Sequence, residues 1–586
     1  MNFPPTTLAQ WRALVDKDLA GKPFDKVLVH EVLSGVSVAP LYVEAPAPDP
    51  AARYERHEPF RICMRHLPGA NEPELAADVA GGADALWVPL DLAFSGALSP
   101  KERIDGDARA VGEGRTGSTS LVLEASEVPA PEVATQLAKA LASARVTVGV
   151  DPIAWRAEGR APMSSLRSDL DELGRFVQLA VRQQGLRGAV VSTLPYHEAG
   201  ADAADELAIA LSTGARYVEA LLGAGLSPDE ALDAIALRVA VGRDTFAELA
   251  KLRALRTCWE KLLVAFGATR GSGPERPLVH AVCSRSTLAV RDPWVNMLRV
   301  TTQVFAAVVG GADLVTPNAY DELFESPSPL GHRIARNTGL VLREESALGK
   351  VSDAAGGSYY FDSLTDALAR EAWKRFRELS REGGVVEALE SGRLATRLDT
   401  AWKQRLDRIA KRKHPVLGVS EFANLDEKLP GPAPSGEPAP KAGALPAHRD
   451  AAPFEALRLR AEALNPPPQA LLLTLGSFAE SRPRAGFASA FFAAGGIRTR
   501  ESTADERAVV ACLCGTDERY AEEAARRVRS LKALGVSKVL LAGRPGALEG
   551  ELREAGIDGY LFVGCDAVGA LSESLTAFVG RAEKWA

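Results

Sequence analysis

The run IALRVAVGRDTFAELAKLRALRTCWEKLLVAFGATRGSGPERPLVHAVC (235–283) decides the architecture. Residues 235–241 and 278–283 are nearly continuous in apolar and β-branched side chains, the pattern of parallel strands covered on both faces. Between them Phe246, Leu249, Leu252, Leu255, Trp259, Leu262 and Phe266 recur at helical spacing, which predicts an amphipathic helix over 243–266. The same kind of apolar run appears at 60–64, 85–91, 120–125, 145–150, 188–193 and 313–318. Helical stretches separate most of these runs, among them the Ala- and Leu-rich 200–222. Eight such alternations predict an α/β fold built on a (β/α)8 TIM barrel, with an open doubly wound sheet as the competing arrangement.

Beyond residue 428 the composition changes. Ten of the 37 prolines lie within 428–468, which predicts an extended, stiff linker with a short helix near 454–464. After it, apolar runs at 470–475, 508–514, 537–543 and 559–564 alternate with helical segments at 488–496, 518–535, 547–556 and 569–579. That is the pattern of a flavodoxin-like doubly wound domain. The expected division is an N-terminal arm (1–45), the barrel with a helical extension (46–427), the linker (428–468) and the small domain (469–586). The arm pairs a helix over 7–19 with extended chain. Its Trp11, Leu14, Val15, Phe24, Val27 and Val29 carry too much apolar surface to stay solvated, so it covers either a partner or its own barrel.

Composition narrows the function classes. The 586 residues carry a net charge of −7, with 46% hydrophobic and 25% charged residues, as in an ordinary globular protein. The acidic balance supplies no electrostatic reason to bind nucleic acid, and the sequence offers no apolar run of membrane-spanning length. Six scattered cysteines form no C-x-x-C, and eight histidines form no H-x-x-x-H, so neither a disulfide framework nor a zinc site is expected, and the reading is a reducing cytoplasm.

Barrel enzymes place their chemistry at the carboxyl ends of the strands. The polar candidates there are Tyr196, His197 and Glu198; Ser284, Arg285, Ser286 and Thr287; and Asn318, Asp321 and Glu322. His197 beside Glu198 has the composition of an acid–base pair, although such neighbours are more often structural. His280, inside a strand, reads as a satisfied core histidine. Arg333, Arg336 and Asn337 share one helical face, and Gly356-Gly357-Ser358 reads as a tight turn before Tyr359 and Tyr360. In the small domain the stretch Gly476 to Arg484 reads as a polar loop in which Ser481 and Arg484 are the anion-binding candidates. Cys512 and Cys514, two apart on a strand, share a face and read as packing.

Several segments together resemble one family. FAELAKLRALRTCWEKLL (246–263), RDPWVNMLRVTTQVFAAVVGGADLVTPNAYDE (291–322), RIARNTGLVLREES (333–346), VSDAAGGSYYFDSLT (351–365) and HEAGADAADELAIAL (197–211) are similar to the adenosylcobalamin-dependent methylmalonyl-CoA mutase family. The resemblance covers nearly the whole chain, including 24–42. It implies a barrel that holds a CoA ester, a linker and a flavodoxin-like cobalamin domain.

The departures from the family pattern fall on its functional positions. Active members read G-Y-H-M-Q before E-A-G-A, where the histidine contacts substrate; here Pro195 stands at the histidine position and His197 at that of the glutamine. Active members read H-C-Q-T-S-G-W after the seventh strand; here the glutamine position is Val282. The D-x-H-x-x-G motif that supplies the lower axial ligand to cobalt corresponds to Ala479, Ser481 and Arg484, and the serine at the next strand end corresponds to Leu513. Cobalt ligation needs an imidazole held by a carboxylate, and close approach of a cofactor needs glycine; a hydroxyl and a guanidinium meet neither need. The resemblance therefore implies the small, non-catalytic subunit of the heterodimeric enzyme. No catalytic, cofactor-binding or metal-binding residue is then expected on this chain. Adenosylcobalamin and the acyl-CoA substrate would lie on a homologous large catalytic subunit, the partner in a heterodimer that isomerises methylmalonyl-CoA and succinyl-CoA. The alternatives are an active cobalamin-dependent acyl-CoA mutase and a stand-alone CoA-ester-binding protein.

Overall fold

The computed structural model describes residues 6–32, 34–44, 58–70, 72–91, 119–140, 145–160, 165–182, 186–269, 277–325, 327–432, 434 and 440–585. Parts of the expected arm (1–5, 33 and 45) and linker (433 and 435–439) lie outside these. Strands β1 (Arg61–Arg65), β2 (Ala85–Pro89), β3 (Ser120–Glu124) and β4 (Val146–Gly149) pair in parallel and in order. The fifth strand, β5, is broken: Leu186–Arg187 pairs with β4, and Ala189–Ser192, beyond Gly188, pairs with β6 (Ile235–Val241). Strands β7 (Leu278–Cys283) and β8 (Leu314–Thr316) follow, and β8 returns to β1. The ring thus closes through the two halves of β5, and the eight predicted runs make a barrel rather than an open sheet.

The local reasons are those of the pattern. Every residue of β6 and of β7 is buried, as expected of strands with a core on one side and helices on the other. The helix Thr245–Ala265 after β6 starts at Asp244, whose side chain accepts from the Ala247 N–H, and it buries Leu249, Leu252, Leu255, Trp259 and Leu262, while Phe246 of the predicted stripe is exposed. The predicted turn at Gly356–Ser358 is present. Gly357 sits at φ +83°, and Ser358 caps the helix Tyr359–Arg381.

The barrel axis is filled. Inward-facing Cys63, Ala85, Trp87, Val122, Val190, Ala236, Leu278, Val282 and Leu314 form one buried cluster. Within the barrel the Trp87 indole lies between two guanidiniums, Arg65 at 4.4 Å and Arg238 at 4.1 Å from the ring centroid. Its N–H donates to Glu124 at 3.0 Å, and Arg238 donates to the same carboxylate at 2.8 Å. The interior is a packed core with a charged layer.

Residues 440–451 are extended, and they are tied across the carboxyl rim of the barrel. The N–H groups of Leu445, His448 and Asp450 donate to the carbonyls of Ala157, Glu198 and Ser286 at 2.8, 2.8 and 2.9 Å. The helix Ala452–Glu462 follows, and its Glu455 accepts from the Val290 N–H at 2.6 Å.

The small domain is a parallel sheet of β9 (Gln469–Thr474), β10 (Arg498–Ser502), β11 (Val510–Cys514), β12 (Lys538–Ala542) and β13 (Gly559–Leu561). The order β10-β9-β11-β12-β13 is flavodoxin-like. Strand β10 has no apolar run in its sequence, RTRES, because it is an edge strand with charged side chains.

The expected polar loop at 476–484 is not a loop. A helix runs over Phe478–Ala494, beginning ahead of the predicted 488. Ser477 and Glu480 form a capping box that satisfies the first free N–H groups, so the helix starts at the strand end. Pro483 lies inside this helix, at its sixth residue, where it lacks the N–H that would donate to the Ala479 carbonyl.

The N-terminal arm forms helix Leu8–Leu19 and a short hairpin of His30–Glu31 with Ser37–Val38. Val32 and Val38 join the main core, whereas Leu8, Leu14 and Val27 are 51%, 62% and 49% exposed, so the helix lies off this chain's own core.

Candidate functional site

Two places in this architecture hold ligands by topology: the carboxyl rim of the barrel and the crevice at the carboxyl ends of the small sheet.

At the barrel rim, Thr193 precedes the short helix Leu194–Glu198, which carries Pro195, Tyr196 and His197. Pro195 is half-buried and Tyr196 and His197 are buried. His197 does not pair with Glu198. Its Nδ1 lies 2.8 Å from Glu206, in the first turn of helix Ala203–Gly223, and its Nε2 lies 2.8 Å from the Ser284 hydroxyl just past β7. Glu206 also accepts from Thr193 Oγ1 at 2.7 Å and from Lys251 Nζ at 2.8 Å, and Lys251 meets Glu248 at 2.6 Å. Burial alone would raise the Glu206 carboxyl, but Lys251 and His197 outweigh it and hold the group at about 2. Neither Glu206 nor Lys251 was evident from sequence. Both sit inside amphipathic helices, where a single charge gives no signal of which face it occupies.

Ser284 in turn accepts from the Ser286 N–H at 3.1 Å and shares a 2.7 Å hydrogen bond with the Ser286 hydroxyl. The sequence Ser284–His197–Glu206 has the connectivity of a nucleophile, a base and an orienting carboxylate. Its surroundings differ from those of a reactive site. All three groups are buried, Lys251 neutralises the carboxylate, and Asp450 closes over Ser286. The cavity bordered by His197, Glu198, Val282, Ser284, Arg285 and Asn318 measures about 20 Å³. That holds about one water and no thioester.

Several of the remaining rim residues have structural partners. Asn318 donates to the Cys283 carbonyl at 2.7 Å, Thr287 to that of Ser284 at 3.0 Å, and Asp321 accepts from the Ser328 N–H at 3.0 Å. His280 meets Thr316 at 2.7 Å inside the barrel, and burial together with Arg238 holds it neutral, so it is the satisfied core histidine expected. Arg336 is buried against Asp78 at 2.8 Å, while Arg333 and Asn337 on the same helix face outward.

In the small domain Ala479 is exposed, and the Ser481 hydroxyl donates back to the Ser477 carbonyl at 3.1 Å within the helix. Arg484 crosses the strand ends. It donates to the Gly515 carbonyl at 2.8 Å and to Asp517, and it lies 4.8 Å over the Tyr520 ring. An added methyl at Gly543, past β12, would meet the Arg484 guanidinium at 3.2 Å. The Tyr520 hydroxyl accepts from the Gly515 N–H at 3.1 Å and donates to the Ala542 carbonyl at 2.7 Å, so it bridges β11 and β12. Leu513 is buried in the sheet, and Cys512 and Cys514 face one cluster together. The crevice where a doubly wound fold takes its ligand is thus filled by the chain's own Arg484 and Tyr520. These residues do not fit a corrin: among the described residues no imidazole reaches the crevice, and Arg484 covers the backbone at Gly515 and Gly543 that a flat cofactor must approach.

Among the described residues no cluster of histidine, cysteine or carboxylate side chains is arranged to hold a metal, and no helix is long and apolar enough to cross a membrane.

Comparison with known proteins points one way. Residues 133–439 match the family model for methylmalonyl-CoA mutase. The chain is 36% identical to a methylmalonyl-CoA mutase small subunit from Streptomyces virginiae, over 98% of this chain and 97% of that one. It is 34% identical to the methylmalonyl-CoA mutase small subunit of Propionibacterium freudenreichii subsp. shermanii, over 98% and 95%. Similarity to a methylmalonyl-CoA mutase of Escherichia coli (strain K12) is lower, 27% over 71% of this chain and 64% of that one.

Proposed function

The chain belongs to the methylmalonyl-CoA mutase family, and on that premise we propose that it is the small, non-catalytic subunit of a heterodimeric, adenosylcobalamin-dependent mutase. Its partner is a homologous large subunit that binds the cofactor and the acyl-CoA and interconverts methylmalonyl-CoA and succinyl-CoA in the cytoplasm. This chain stabilises that partner.

The observation that carries the reading is the packing at the two family positions, around His197 in the barrel and at Arg484 in the small domain. The cavity beside His197 and Val282 is about 20 Å³, and the axis is stacked with Arg65, Trp87 and Arg238, so an acyl-CoA does not fit along the axis. Pro195 and Val282 present no hydrogen-bonding side chain where the family places histidine and glutamine. Ser481 and Arg484 present no cobalt ligand, and without the cofactor the chain has no radical chemistry to perform.

The exposed apolar residues of the arm support the pairing. Trp11 packs edge-on against Phe24 at 6.2 Å, while Leu8 and Leu14 on the first helix and Val27 on the short turn of helix Phe24–Val27 stay exposed. A homologous partner with a large apolar interface would cover them.

The test is co-expression with a longer homologue that carries D-x-H-x-x-G. The expected result is a one-to-one complex that binds cobalamin and turns over, and a lone chain that does neither. A lone chain that shows a bound-corrin spectrum and isomerises its thioester would overturn the reading.

A further inference from the structure

A second cavity lies at the carboxyl rim of the barrel, on the side of β1 and β8. It measures about 610 Å³, lies between the loop after β1 and the helix Pro329–Leu340 after β8, and is of the size that takes a small molecule. Its floor carries Arg65, whose guanidinium borders both this pocket and the small cavity at the barrel mouth. Arg65 stacks on Trp87 and, among the described residues, forms no ion pair. Arg333 stands at the exposed rim, likewise without an ion-pair partner among the described residues.

The remaining charges are arranged unevenly. Asp78 is already engaged by His66 at 3.0 Å, Arg336 at 2.8 Å and His332 at 3.5 Å, so this carboxylate presents little free charge to the pocket. The hydrogen bond to Asp78 raises the His332 pKa and favours a third cation on this wall. Glu74 and Glu322 border the pocket too, so a ligand that carried negative charge over its whole length would be repelled. Leu67, Pro68, Pro329 and Leu330 supply apolar wall.

We propose that this pocket binds a small organic anion, with a terminal phosphate or carboxylate held between Arg65 and Arg333 and an apolar body laid along Leu67, Pro68 and Leu330. A guanidinium fork matches either head group in bidentate fashion. The site adjoins the packed barrel axis through Arg65 and does not depend on the subunit assignment.

Titration calorimetry of the full chain with phenyl phosphate, benzoate and inorganic phosphate tests the assignment. The expected result is saturable binding of phenyl phosphate or benzoate, tighter than inorganic phosphate, with a change in tryptophan fluorescence from Trp87 beneath Arg65. Whichever aromatic anion binds tighter identifies the head group. Arg65→Gln and Arg333→Gln are each expected to weaken binding at least about tenfold, the loss of one charge-assisted contact. Arg333 lies at the surface, so its variant folds whatever happens to that at Arg65. No saturable binding up to about 10 mM, equal affinity in Arg333→Gln and the unaltered chain, or inorganic phosphate binding as tightly as both aromatic anions would each overturn the proposal.

Discussion

The imidazole of His448 lies flat on the indole of Trp402, with ring centroids 4.3 Å apart and planes 3° from parallel. Trp402 belongs to the helix Arg393–Ala410 beyond the barrel, and His448 to the strap that crosses the rim. The stack fixes the strap between the barrel loops and the helical extension. Two residues later Asp450 is buried with both oxygens near Arg405, one of them also 3.3 Å from Arg243. The strap is therefore part of the core of the molecule, and it lids the barrel mouth.

Asp450→Asn keeps the shape of the side chain and removes its charge from two guanidiniums. Breaking one partner out of a buried ion pair costs about 3–5 kcal/mol, and chemical denaturation should show a loss of that size. Although burial opposes ionisation, Arg405 lowers the Asp450 pKa below the usual carboxylate range. The stability it contributes is therefore present above the unfolded value and fades as the pH falls through the folded one. A variant no less stable than the parent would show that the strap is held by its backbone bonds alone.

Lys251→Met strands Glu206 and Glu248. The expected loss is again about 3–5 kcal/mol, and Glu206→Gln in the same chain should restore part of it, because the more deeply buried of the two carboxylates then needs no ammonium. With Glu206 held at about 2, its contribution is complete above the usual glutamate value and is lost as the pH falls toward about 2. Unfolding free energies measured across the acid range should show that slope in the parent and not in the double variant.

Arg484→Ala removes the guanidinium from the small-domain crevice without opening it, since the Tyr520 hydroxyl still bridges β11 and β12. Loss of the charged hydrogen bond to Gly515 predicts a destabilisation of about 1.5–3 kcal/mol. Absorption spectra with added hydroxocobalamin should be those of free cofactor for parent and variant alike. A shifted spectrum in either would contradict the filled-crevice account.

Deleting residues 1–22 removes the exposed helix and leaves Val32 and Val38 in the core. The stability of the lone chain should change by less than about 1 kcal/mol, as for surface changes elsewhere. Recovery of the one-to-one complex with the longer homologue should fall sharply. Undiminished pairing would assign the helix another role.

Much of the architecture was legible before any coordinates. The β6–helix–β7 run carries its period openly, and parallel strands buried on both faces are the most readable of all because nearly every residue is apolar, Arg238 and His280 being the exceptions. The capping box at Ser477 and Glu480 was legible in principle, but the Pro483 that follows reads as a breaker, and the helix runs through it all the same. Strand β10 was not legible, because an edge strand answers to its neighbour's hydrogen bonds rather than to a core. The pairing of His197 with Glu206 rather than Glu198 was hidden for a related reason: adjacent residues on a helix point apart, and the partner comes from the next helix.

Sequence by itself determined the strand–helix alternation, the small domain and the residue types at the expected catalytic positions, since these follow from local periodicity and from which side chains are present. Only the tertiary structure decided that the eight strands close into a barrel rather than an open sheet, and how the space at those positions is occupied. Trp87 between Arg65 and Arg238, Arg484 over Tyr520, and His448 on Trp402 join residues far apart in the chain. Whether space is occupied depends on long-range packing, and no local pattern of side chains records it.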